Sequence, residues 1–186
     1  MTNVWSSFGR RWVSLPYGIF ERNPLLQGGG IQFPATAVPS SDVNTLDDYE
    51  EGSFTPVLTF ATPGDLSVAY STQVGFYIKI GKQVTAAVSL VTSTFTHTTA
   101  SGEVRVTGLP FTVLNNAQSQ RSGGVQWQGI TKANYTDMVP AAEANGTRCT
   151  IRASGSGQTI ATISASDMPT AGSVVLRFTS LYVADT

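Results

Sequence analysis

Residues 76–91 read Phe76-Tyr77-Ile78-Lys79-Ile80-Gly81-Lys82-Gln83-Val84-Thr85-Ala86-Ala87-Val88-Ser89-Leu90-Val91. Phe76, Ile78 and Ile80 alternate with Tyr77 and Lys79, and Val84, Ala86, Val88 and Leu90 alternate with Thr85, Ala87, Ser89 and Val91. A period of two is that of extended chain with one apolar face on each run. Gly81-Lys82 between the runs puts glycine first, as a type II′ hairpin turn requires. The stretch therefore predicts an antiparallel hairpin.

Working outward, the same grammar recurs. Val57-Leu58-Thr59-Phe60 starts a strand and Gly64-Asp65 is a turn. Downstream, Asn145-Gly146 is a type I′ signal, and Ser154-Gly155-Ser156-Gly157 separates a strand over 147–153 from another over 158–163. Ser173 to Ala184 closes the chain as a long strand. It carries Val174, Leu176, Phe178 and Tyr182 on one side and Val175, Arg177, Leu181 and Val183 on the other. No amphipathic helix of ordinary length is patterned in residues 53–186. Strands of this number and spacing bury their apolar faces as two stacked antiparallel sheets, so the expected class is all-β, a jelly-roll-like β-sandwich. The apolar second side of the last strand leaves hydrophobic surface for a further partner.

Composition narrows the functions. Charged residues are 12% and hydrophobic residues 41%, with a net charge of -1. These values exclude disorder throughout and electrostatic capture of nucleic acid. No apolar run is long enough to span a bilayer, so membrane insertion is not expected. The single Cys149 cannot form an intrachain disulfide, and its place opposite Ile151 in an alternating strand makes it a small core residue. His97 is the only histidine. A histidine-rich zinc site is thereby ruled out, and a catalytic triad has one candidate base. Among Thr94, Thr96, Thr98 and Thr99, His97 reads as a surface-loop residue, with ligand contact as the alternative. No catalytic residue, metal site or cofactor is expected.

Ahead of the body lie two segments of different character. Residues 1–30 interleave Trp5, Phe8, Trp12, Tyr17 and Phe20 with Arg10, Arg11 and Arg22, and end in Gly28-Gly29-Gly30. Such an arm either packs on its own body or, freed by the glycines, docks on another protein. Residues 31–52 read as a proline-stiffened connector followed by a short helix from Thr45 to the exit at Gly52. That helix would gather Asp47, Asp48, Glu50 and Glu51. The cluster is open to three readings: a solvated collar, a calcium site, or a glycosidase pair.

The run Phe33-Pro34-Ala35-Thr36, Pro39-Ser40 and Asn44 to Pro56 (NTLDDYEEGSFTP) is followed by further pieces in order. They are Tyr70-x-x-Gln73-x-Gly75-x-Tyr77-x-Lys79-Ile80-Gly81-x-x-Val84, then Ser101-Gly102, then Thr107-Gly108-Leu109-Pro110-Phe111. The ordered series resembles the C-terminal domain of tailed-phage tail fibres and tailspikes. It covers residues 31–111, thins over 112–172 and returns in Leu181-Tyr182-Val183. The resemblance implies a homotrimer in the virion tail, assembled in the bacterial host cytoplasm. It also implies host-receptor binding by the body. The arm lies outside the resemblance; its interface-type residues Trp5, Phe8, Arg10, Arg11, Trp12, Tyr17 and Phe20, freed by the glycines, are expected to attach the trimer to another virion protein. The alternative is a purely structural virion protein: a head fibre, decoration protein or adaptor.

If the body binds a host glycan, the residue types for it lie in two stretches, Asn115 to Gln120 and Gln126 to Asp137. A sugar ring stacks on an aromatic face while amides and hydroxyls bond its hydroxyl groups. Candidate contacts are Trp127, Asn134, Tyr135, Asp137 and His97. Trp127 alternates with Val125 and has a second reading as a core residue.

Overall fold

The computed structural model describes residues 2–5, 12–15, 33, 40–42, 44–116 and 120–185, with the backbone alone at 2–5, 12–15 and 120–122. By its contacts the chain forms two units, Met1–Gln32 and Phe33–Thr186. In the first unit, β1 (Thr2–Trp5) and β2 (Trp12–Leu15) pair antiparallel, Thr2 opposite Leu15 and Trp5 opposite Trp12. These segments of the expected extended arm are thus a hairpin, in which each strand satisfies the other's backbone groups. Phe8, Arg10, Arg11, Tyr17 and Phe20 lie outside the described residues.

The second unit holds β3 (Tyr49–Phe54), β4 (Val57–Thr62), β5 (Ser67–Ile80), β6 (Gln83–Thr96), β7 (Ser101–Thr107), β8 (Gln120–Gln128), β9 (Asp137–Ala142), β10 (Arg148–Ser154), β11 (Ala161–Thr162) and β12 (Val175–Val183). A 3-10 turn at Ala165–Asp167 precedes the last strand. One sheet runs β3-β5-β6-β12-β8, and the other β11-β10-β7-β4 with β9 also paired to β10. All pairings are antiparallel. Two folded ribbons generate this order. The hairpin β5–β6 continues into the pair β4–β7 on the opposite sheet, and the hairpin β9–β10 continues into the pair β8–β12. Each ribbon gives two strands to each sheet, which is the jelly-roll-like sandwich.

The core lies between the sheets. From one side come Val84, Ala86, Val88, Leu90 and Phe95 of β6 with Leu176, Phe178 and Tyr182 of β12. From the other come Leu58, Phe60, Val104, Val106, Cys149 and Ile151. Phe60 and Phe95 meet edge to face across the gap, ring centres 6.0 Å apart. The Cys149 thiol donates to the Ser180 hydroxyl at 3.4 Å, and burial pushes the thiol up to about 12, so it is no nucleophile at neutral pH.

Three expectations are corrected. First, the short acidic helix does not form: Tyr49–Phe54 is strand β3, paired with Gly75 to Ile80. A two-turn helix is marginal by itself, and the exposed edge of β5 offers the same backbone a full ladder. Gly52 is needed not for a left-handed exit but because the Tyr77 ring crosses it, 2.9 Å from where a Cβ would sit. Second, Asn145-Gly146 is not a two-residue loop. Asn145 alone takes a positive φ, 59°, and the Gly146 N–H donates back to the Glu143 carbonyl at 3.2 Å. Third, β5 is turned over. Its alternation is as read, but Phe76 (58% exposed), Ile78 (46%) and Ile80 (51%) point away from the core, while Lys79 is 3% exposed. The Gly81-Lys82 turn holds, with Ile80 opposite Gln83 and Gly81 at φ 56°.

Candidate functional site

The residues that carry the family-like pattern turn out to be a closure between β5 and the chain ahead of it. Counting back along β5 from Lys79 to Gln73, every second residue meets the chain ahead of it, and Tyr70 follows past an irregularity in the ladder. Lys79 forms a buried ion pair with Asp48, its ammonium also 5.1 Å from the centre of the Phe111 ring. Tyr77 donates its hydroxyl proton to Glu50 at 2.5 Å, which with burial pushes the phenol up to about 12. Gly75 lies under the Phe54 ring, where a Cβ would come within 2.6 Å of ring carbons. The Gln73 amide donates to the Pro56 carbonyl at 3.0 Å, and the Leu58 N–H donates to the Tyr70 hydroxyl at 2.9 Å. Gly108, at φ 89°, presses against the Thr55 carbonyl, and Phe111 then stacks edge-on against Tyr77 with centres 5.2 Å apart.

This closure also settles the acidic cluster residue by residue. Asp48 belongs to Lys79, Glu50 to Tyr77, and Glu51 accepts from the Tyr49 hydroxyl at 2.6 Å. Asp47 accepts from the Ser40 N–H at 2.7 Å. The four carboxylates are thus dispersed, Asp47 and Asp48 just ahead of β3 and Glu50 and Glu51 on it, each with its own donor. Among the described residues, no three His, Cys, Asp or Glu side chains gather as metal ligands.

The five candidate receptor contacts are not brought together. His97 is buried, not on a surface loop. It stacks edge-on with Phe60 and Phe95, centres 4.9 and 5.6 Å away, and its Nε2 has no hydrogen-bond partner. The threonines around it misled the reading, because Thr98 and Thr99 turn to Asp65 instead. That carboxylate accepts from both hydroxyls and both N–H groups, and these bonds hold it well below the usual carboxylate range. Trp127 stands opposite the fully buried Leu176 and packs half-buried against the core, in line with its core reading.

Asn134 and Tyr135 share one loop, and Asp137 opens β9 directly after it. The Tyr135 N–H donates to the Lys132 carbonyl at 3.3 Å, and Asn134 caps the turn at φ 66°, a conformation asparagine tolerates better than most residues. Asn134 and Asp137 are exposed. The Tyr135 hydroxyl donates to the Thr159 carbonyl at 2.9 Å, and Lys132 sits 5.8 Å from its ring centre. Lys132 itself is held by Asp167 at 2.8 Å. Burial would raise the Asp167 pKa, but bonds from Lys132 and Ser164 outweigh it and hold the carboxyl low. The loop is therefore a braced polar surface with one ring in it, suited to hydrogen-bonding a hydroxyl-rich ligand.

The sequence reading missed a second surface, the outer face of β5. Val74, Phe76, Ile78 and Ile80 lie open beside Tyr49 of β3. A shallow depression lined by Glu51, Gly52, Ser53, Phe76, Tyr77 and Ile78 runs along it. The available signal was the pairing of a lysine and a tyrosine in β5 with four acids just upstream.

The fold defined by these sheets is an all-β, two-sheet antiparallel sandwich. No protein-family model matches the chain, and no curated protein does. Among solved structures it is similar to the crystal structure of the Dettilon tailspike protein (gp208). The TM-score is 0.52 and the identity 18%, over 71% of this chain and 23% of that one. The likeness is one of fold, and the chain spans less than a quarter of the tailspike's length.

Proposed function

We propose that this chain is a phage virion protein of the tail-fibre and tailspike kind. Its sandwich, assembled as a homotrimer, contacts a host-surface glycan without cleaving it, and residues 1–30 attach it to another virion protein. The observation that carries the reading is the shared fold with a tailspike over 71% of the chain. The resemblance of the ordered pattern from Phe33 to Phe111 points the same way. Asn134, Tyr135, Asp137 and Lys132 are the groups offered to the glycan. One such polar site binds weakly, and three copies on one axis raise the apparent affinity through avidity where receptor spacing allows.

The second reading is a structural virion trimer with no host contact. It is favoured by the inward placement of Trp127 and His97, which leaves few rings free for stacking. Labelled protein incubated with candidate host cells separates the two. On the first reading, it adsorbs to a susceptible strain, and Asn134→Gly/Asp137→Ala, which keeps a residue that accepts the positive φ at 134, reduces adsorption at least severalfold with the melting temperature little changed. Undiminished adsorption by that variant would remove the loop from the site. Release of reducing ends from host polysaccharide would replace the non-enzymatic reading with a depolymerase.

A further inference from the structure

A sheet in a lone soluble domain normally hides its apolar face and shows its polar one. Strand β5 does the reverse, and the closure explains how. Lys79, Tyr77 and Gln73 are committed to partners on the inner side, so the period of two forces Val74, Phe76, Ile78 and Ile80 outward. Their exposures run from 39% to 58%. The face continues through Thr85, Ala87 and Val91 of β6, opposite Ile78, Phe76 and Thr72, to Val175, Leu181 and Val183 of β12. Contiguous apolar surface of this kind marks an interaction site.

Its charges indicate the occupant. Between β3 and β12 the outer face carries Glu51 and Arg177, both exposed. Glu51 is level with Ile78 and Arg177 with Ser89 and so with Val74. They stand three strands apart and four residues apart along the strands, or about 14 Å by about 13 Å at ordinary sheet spacings. The field between them is uncharged. A second copy of this face therefore meets the first without like charges opposed, and its Arg177 can be set against Glu51 at the margin of an apolar centre, the anatomy of a protein interface.

We infer that the outer face of β3, β5, β6 and β12 is the contact between copies of this chain, with Phe76 and Ile78 at its centre and Glu51 facing Arg177 of the neighbouring copy. The inference rests on the homotrimer reading above and adds the surface that makes it. The test is sedimentation equilibrium of the full chain at micromolar concentration. The wild type is expected at the mass of three chains, and Phe76→Asp/Ile78→Asp at the mass of one, with an unchanged far-UV spectrum. Glu51→Arg and Arg177→Glu should each weaken association by about fivefold, and the two together should recover most of it, a check that does not depend on how the apolar variant folds. A Phe76→Asp/Ile78→Asp protein that keeps the trimer mass would overturn the inference and leave the trimer standing. A wild-type dimer lost in that variant would keep the face and overturn the trimer. A monomeric wild type would overturn both.

Discussion

His97 and Asp65 sit within a few residues' reach of the same turn and do opposite things. His97 fills an aromatic box and leaves a buried nitrogen without a partner, a cost of about 1–3 kcal/mol for an unsatisfied polar group. His97→Leu should therefore melt at or above the wild-type temperature, whereas His97→Ala should lose about 2 kcal/mol to a cavity between Phe60 and Phe95. Denaturant unfolding of both variants checks this, and a large loss with leucine would mean that the imidazole has a polar role. Asp65 is fully satisfied. Because its folded pKa lies below its unfolded value, its contribution is complete above about pH 4 and fades as the pH falls toward the lowered folded value. Asp65→Asn should melt lower at pH 7 and lose less than the wild type on going to pH 3, measured by thermal melts across that range.

At the level of the element, β3 exists because β5 needs it. Without the chain from Asp48 to Leu58, Lys79, Tyr77, Gln73 and Tyr70 would turn into the sandwich without partners. Removing one member of the buried ion pair strands the other, so Lys79→Met should cost about 3–5 kcal/mol in denaturant unfolding. Adding Asp48→Leu should recover much of that loss, because an apolar pair of similar bulk requires no buried charge. Additive losses in the double variant would show that the two residues stabilise the fold separately. Gly75→Ala tests the same closure through packing. The added methyl must displace the Phe54 ring, and a cost of about 1–3 kcal/mol follows from overpacking.

For the whole molecule, the division at Gln32–Phe33 makes residues 1–30 separable. Deleting them should leave the melting temperature and the number of chains in the assembly unchanged while abolishing incorporation into particles. Normal incorporation of the truncated protein would move the anchor into the body. If the outer β5 face joins the copies, substitutions there and in the Asn134 loop should have separable effects. The first should change mass and, with it, avidity. The second should change adsorption at constant mass.

The alternation in 76–91, the glycine-led turn and the paired apolar sides of the last strand were enough to give an all-β sandwich, because strand periodicity and turn stereochemistry are local properties of the chain. The core membership of Cys149 was legible for the same reason. Which face of β5 turns inward was not local. It is decided by partners about thirty residues upstream, Asp48 and Glu50, whose bonds to Lys79 and Tyr77 outweigh the preference of Phe76 and Ile78 for the core. The same contacts drew Tyr49–Phe54 out of a helix and into the ladder. His97 was misplaced because its threonine neighbours are satisfied by Asp65, more than thirty residues away in sequence. Sequence by itself determined the β5–β6 hairpin with its turn and the last strand. Only the tertiary structure decided which sides they bury, since a period of two specifies that a strand has two faces and leaves to its hydrogen-bond and ion-pair partners the choice between them.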